Sequence, residues 1–113
     1  MSRPRGVRKL LKSIPKVSGV YMITHIPTGR RYIGFSKNID EGVRHRVAQH
    51  FDDLVRGRHP TRLMQDVWNY DPIPEHWTVE LLEQTTNWAR ERVWMDAFGI
   101  PNEHDFNKAR CLK

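Results

Sequence analysis

Val20-Tyr21-Met22-Ile23-Thr24-His25-Ile26-Pro27-Thr28-Gly29-Arg30-Arg31-Tyr32-Ile33-Gly34 sets two tyrosines eleven positions apart, on either side of a Pro-Thr-Gly turn. Val20 to Thr24 is rich in β-branched and aromatic residues, which suit a pleated strand. Pro27 presets its own φ and Gly29 takes positive φ without steric cost, so the chain reverses there and Arg30 to Phe35 returns as a second strand. With the turn centred between Pro27 and Thr28, Ile23 faces Tyr32 and Tyr21 faces Gly34. Positions two apart along a strand share a face, so Tyr21 and Tyr32 lie diagonally on one face. A register slip of one residue would part them. On this evidence alone the tyrosines are either packing aromatics or two halves of one site.

Outward from the hairpin, Ser36 to Asp40 offers capping side chains, and Val43, Val47, Phe51 and Leu54 then form one helical stripe. Arg46 and His50, four residues apart, stack on its flank. Gly57 ends this helix. Pro60 and Thr61 precede a second, with Leu63, Met64, Val67 and Trp68 on its apolar side, and Pro72 and Pro74 prevent continuation. Trp77, Val79 and Leu81 alternate with polar residues between His76 and Glu83, which predicts a third strand, although Leu82 blurs the pattern. Asn87 to Phe98 reads as a third helix stopped by Gly99-Ile100-Pro101. The order β-β-α-α-β-α predicts a small α+β domain, with a three-stranded, mainly antiparallel sheet flanked by helices. The tryptophans are assigned to packing.

The length of 113 residues fits one compact domain. Cys111 is the one cysteine, so no intrachain disulfide and no cysteine-based zinc cage can form, and a reducing interior is expected. The sequence has no apolar run of membrane-spanning length and no secretory leader, so a soluble, cytoplasmic protein with no membrane partner is expected. The net charge of +6 is localised: residues 1–16 hold Arg3, Arg5, Arg8, Lys9, Lys12 and Lys16 with no acid. In residues 17–113, 13 basic and 13 acidic side chains balance. The expectation is therefore a basic N-terminal arm over 1–16, loosely ordered until a polyanion neutralises it, ahead of a domain over 17–113.

Six histidines, at 25, 45, 50, 59, 76 and 104, show no helical spacing or carboxylate context of a zinc enzyme, and no glycine-rich phosphate loop precedes a helix. What remains is a constellation: the paired tyrosines, Arg46 with His50, and Glu91 on the third helix. Phosphodiester hydrolysis needs an acceptor for a proton of the attacking water, a cation for the charge growing on phosphate, and a carboxylate-held metal.

These segments resemble the GIY-YIG nuclease signature. Gly19-Val20-Tyr21, with valine for isoleucine, is followed by Tyr32-Ile33-Gly34, then by Arg46 with His50, Arg90-Glu91-Arg92 and Asp105-Phe106-Asn107, in the family's order. The resemblance implies a homing-endonuclease-like catalytic domain, of mobile-element or phage character, that cuts DNA with one Mg²⁺ or Mn²⁺ ion per site. It implies that Tyr21 activates the attacking water with His50 as hydrogen-bond partner and proton acceptor, and that Tyr32 orients water or phosphate. Arg46 would stabilise the transition state, Glu91 would hold the metal, and Asn107 would support the site. Arg44 rivals Arg46 for the arginine role. Gly19 and Gly34 are structural, Gly34 letting backbone pass close to the tyrosines. Arg3, Arg5, Arg8, Lys9, Lys12, Arg30, Arg31, Lys37, Arg44, Arg56, Arg58, His59 and Arg62 are the DNA-binding candidates. With no recognition domain expected after Lys113, specificity would come from the arm, from the helix junction or from a separate partner, and double-strand cleavage would need a homodimer or a second event. The competing reading is a non-catalytic nucleic-acid-binding module that uses the basic arm and exposed tyrosines.

Overall fold

Hairpin register decides which side of the sheet each residue of the central strand faces. The computed structural model describes residues 3–37 and 40–107, and Cys111 lies outside them. Strand β1 (Gly19–His25) pairs antiparallel with β2 (Arg30–Ser36), with Tyr21 opposite Gly34 and Ile23 opposite Tyr32, as the turn predicts. Strand β3 (Trp77–Gln84) pairs antiparallel with the other edge of β1, giving the order β2-β1-β3.

Central β1 is covered on both faces. Tyr21 and Ile23 join the core beneath helices α1 (Arg5–Lys12), α2 (Gly42–Val55) and α3 (Arg62–Tyr70), while Val20 and Met22 pack with Ile33 against Trp94, Met95 and Phe98, on and just beyond α4 (Ala89–Ala97). This explains the unbroken apolar run Val20–Ile23, since a strand buried on both faces has no polar side to show. It also resolves Leu82: Val79 and Leu81 pack on the first face and Leu82 on the second, beside a register shift between Val20 and Tyr21. The fold is α+β, as expected, with Val43, Val47, Phe51 and Leu54 all buried along α2.

The N-terminal segment corrects the sequence expectation of a loosely ordered arm. Residues 5–12 form a helix whose Val7 and Leu11 are buried in the main core, with Ile14 buried just beyond it. Val7, Leu10, Leu11 and Ile14 recur at helical spacing, and this apolar stripe pins the helix regardless of its charge. The same burial ties α1 to the sheet domain and makes it a fourth helix, ahead of the three expected.

Two further features position the site. Gly57, with φ of 75°, turns the chain back after α2, so that His59 returns against it. Along the exposed edge of β2, Asp105 Oδ1 accepts from Arg31 N at 2.8 Å, and Phe106 N donates to Arg31 O at 2.8 Å. Asn107 then accepts from Ile33 N at 2.6 Å and donates to Ile33 O at 3.1 Å. An edge strand's unpaired groups are thereby satisfied by the closing segment. Among the described residues no helix is long and apolar enough to cross a membrane.

Candidate active site

Tyr21, on β1, is 1% exposed, and its ring lies across Gly34 on β2. A Cβ at position 34 would stand 2.3 Å from the Tyr21 hydroxyl, far inside contact distance, so this strand position has room for glycine only. Gly19 is confined similarly by the Glu83 carbonyl of β3. Freed to cross the sheet, Tyr21 Oη reaches His50 Nε2 at 2.8 Å. Tyr32 completes the group: its ring centroid lies 6.5 Å from that of Tyr21 and 4.8 Å from that of His50.

Arg46 is exposed at the rim, with Nη1 donating to Gln49 at 3.0 Å, and its charge bears on both Tyr21 and His50. Arg44 points elsewhere. Its guanidinium donates to the carbonyls of Ile14 at 2.7 Å and Lys12 at 3.3 Å, closing the C-terminal end of α1, so α2 presents Arg46 to the tyrosines and Arg44 to α1. Glu91 on α4 is half-buried, and its charge also reaches Tyr21. Its neighbours do not neutralise it: Arg90 pairs with Glu83 at 2.9 Å and Arg92 with Asp96 at 3.6 Å.

The electrostatics sharpen these roles. Burial raises the Tyr21 phenol well above its ordinary pKa, with Tyr32 and Glu91 adding to the effect and Arg46 opposing it. Burial, then the neighbouring His59 and Arg46, push His50 down to about 3. Burial and the neighbouring charges therefore favour the neutral imidazole of His50 at physiological pH. Burial also raises the Glu91 carboxyl. A half-buried carboxylate that has no cationic partner among the described residues would gain from a bound cation. Among the described residues no group of three or more histidine, cysteine or acidic side chains could hold a metal, and the carboxylate that the candidate site offers is that of Glu91. This fits Mg²⁺, which keeps several waters and takes one or two carboxylates together with substrate phosphate oxygens.

Asn107 acts through the backbone, clasping Ile33 between Tyr32 and Gly34. Several DNA-binding candidates are engaged within the chain. Arg3 pairs with Asp52 at 2.8 Å, Arg31 with Asp105 at 2.9 Å while lying over the Phe98 ring, and Arg30 donates to the His104 carbonyl. His59 is buried behind His50, with its Nε2 2.7 Å from His50 Nδ1. Arg5, Arg8, Lys9, Lys12, Lys37, Arg56, Arg58 and Arg62 are exposed. The reading of the sequence missed His59 as a partner of His50, together with Thr61 and Gln65, which hold it. Two histidines flanking a glycine-terminated helix end were the available signal.

Solved structures share this arrangement of elements. The catalytic domain of homing endonuclease I-TevI superposes with a TM-score of 0.65 at 21% identity, covering 85% of this chain and 99% of that one. A second structure, the catalytic domain of intron endonuclease I-TevI with a glutamate-to-alanine mutation, gives the same TM-score and identity, covering 85% of this chain and 94% of that one. The chain has the I-TevI catalytic-domain fold. No protein-family model matches the sequence, and no curated protein matches it. The likeness to I-TevI is one of fold, and it is the fold that the GIY-YIG resemblance implied.

Proposed function

We propose that this protein is a GIY-YIG-type endonuclease that hydrolyses DNA phosphodiester bonds with one divalent ion, Mg²⁺ or Mn²⁺, at Glu91. One observation carries the reading: Tyr21, Tyr32 and His50, from three separate elements, meet within 6.5 Å, with the charges of Arg46 and Glu91 bearing on Tyr21. I-TevI is a homing endonuclease whose catalytic domain has the same fold, which supports the same chemistry here.

The residues divide the work by their chemistry. Tyr21, as phenolate, takes a proton from the attacking water. Burial opposes that ionisation, whereas the Arg46 guanidinium favours it. Tyr32 orients the water or the scissile phosphate from the same sheet face. The planar guanidinium of Arg46 pairs with phosphate oxygens and stabilises the charge that grows on them. Asn107 holds the β2 backbone that carries Tyr32 and Gly34. A bound ion would supply positive charge toward nonbridging and leaving 3′ oxygens.

Incubating the purified chain with supercoiled plasmid tests the reading. Nicked or linear product is expected with Mg²⁺, none with chelator, and at least about 100-fold less from Glu91→Ala. Cleavage that survives chelation or the substitution would remove the metal from the mechanism. Binding without cleavage, across metals and substrates, would favour the non-catalytic module.

A further inference from the structure

The hydrogen bonds behind Tyr21 have a fixed direction, and it can be read from one end. Thr61 N lies 3.0 Å from His59 Nδ1. A backbone amide can only donate, so His59 Nδ1 accepts and carries no proton. A neutral His59 then has its single proton on Nε2, which lies 2.7 Å from His50 Nδ1. The two imidazole planes are only 21° apart, as suits an in-plane N–H···N bond. His50 Nδ1 therefore accepts in turn, and the proton of neutral His50 sits on Nε2, 2.8 Å from Tyr21 Oη. Burial lowers the pKa of both histidines, which favours the neutral form of both rings.

We infer that Thr61 and His59 lock His50 as a hydrogen-bond donor to Tyr21, so that the phenol's own proton is directed away from His50, toward the side that Tyr32, Arg46 and Glu91 flank. The inference rests on the endonuclease reading only for its catalytic consequence. Tyr21 ionises by giving its proton to a hydroxide ion from solvent, forming water, and the phenolate that remains is held by the His50 N–H. Transfer to His50 Nε2 would meet a nitrogen that already carries hydrogen, and its second nitrogen is blocked by the His59 N–H. His59 and Thr61 are thus positioning residues that act through His50. Gln65 anchors them: its Oε1 accepts from His59 N at 2.8 Å, and its Nε2 donates to Leu54 O at 3.0 Å and to Asn69 Oδ1 at 2.9 Å. Gln65 is itself buried, and His59 is held by its backbone as well as by its ring.

Long-range ¹H–¹⁵N correlation of the ¹⁵N-histidine-labelled full chain at neutral pH reads the two tautomers directly. His50 and His59 are both expected as Nε2–H, with Nδ1 unprotonated. A proton on Nδ1 of either ring overturns the relay, whatever the chain cleaves. Reversing the relay provides a second measurement. His59→Gln retains a donor toward His50 Nδ1, whereas His59→Glu offers only an acceptor and should move the His50 proton to Nδ1. Plasmid cleavage by His59→Gln is expected to exceed that by His59→Glu by about tenfold or more, the scale of a misdirected proton in general acid–base catalysis. Equal rates alongside a flipped His50 tautomer would remove the catalytic consequence. A chain that shows both Nε2–H tautomers but cuts no DNA would overturn the endonuclease reading and leave the relay standing.

Discussion

At the scale of single residues, the site depends on one absent side chain. Gly34 leaves room for the Tyr21 ring, and a methyl group there would lie 2.3 Å from the phenol oxygen that His50 holds. Gly34→Ala should retain the hairpin, at about 1–3 kcal/mol cost from overpacking. Cleavage should fall by about 100-fold, because a shift near 1 Å in a reacting group has that effect. Circular dichroism with a cleavage assay would check both, and a Gly34→Ala chain of full activity would show that Tyr21 is not held where the reaction needs it. His50 gives a residue-scale prediction with a definite sign. Its pKa is near 3 in the folded chain against 6.5 for an ordinary histidine, mainly through burial. The unfolded chain therefore binds the extra proton as pH falls through 6.5, while the folded chain does not until about pH 3. Stability contributed above this window is lost on acidification, by about 2 kcal/mol between pH 6.5 and about pH 5 from His50 alone. The shift at His59 has the same direction. Urea unfolding across that range should show the decline, and His50→Asn should flatten it; a wild-type midpoint that stays level would contradict the buried, neutral assignment.

At the scale of elements, legibility followed how local the cause was. The hairpin register was readable because Pro27 and Gly29 set it within a few residues, and the α2 stripe because Val43, Val47, Phe51 and Leu54 repeat at helical spacing. Helix α1 was obscured by its charge. Six basic side chains in 16 residues suggest self-repulsion, yet Val7, Leu11 and Ile14 give this segment a buried face, and burial outweighs exposed like charges that water screens. The closing segment was matched by resemblance, but its contacts with β2 could not be read from local pattern. Asp105, Phe106 and Asn107 have no period of their own, and their hydrogen-bond partners, Arg31 and Ile33, lie 74 or more positions away in sequence. The tyrosines, Arg46 and Glu91 could be picked out of the sequence, but the direction of the His59–His50–Tyr21 chain could not. That direction depends on the amide of Thr61, and an amide leaves no mark in a sequence.

At the scale of the whole molecule, the excess charge and the candidate site lie on different sides of α2. Arg46 and His50 face the tyrosines, whereas Arg44 and Asp52 face α1, bonded to Ile14 and Arg3 respectively. Arg44 lies about 200° around the helix from Arg46, so α2 turns Arg44 toward α1 and Arg46 toward the tyrosines. On the endonuclease reading, the exposed Arg5, Arg8, Lys9 and Lys12 would hold backbone phosphates of a bound duplex rather than the phosphate being cut. Deleting the segment is a poor test, because Val7 and Leu11 would leave the core with it. Exchanging Arg5, Arg8, Lys9 and Lys12 together for glutamine removes the charge and keeps the buried face. This variant is expected to bind DNA more weakly, with the slope of log affinity against log salt reduced by about 0.9 for each phosphate that is no longer neutralised. The weakening should appear in KM rather than in kcat, measured on a short duplex across salt concentrations. A fall in kcat at saturating DNA would mean that α1 reaches the reacting phosphate, and an unchanged salt slope would mean that its charges do not meet DNA at all.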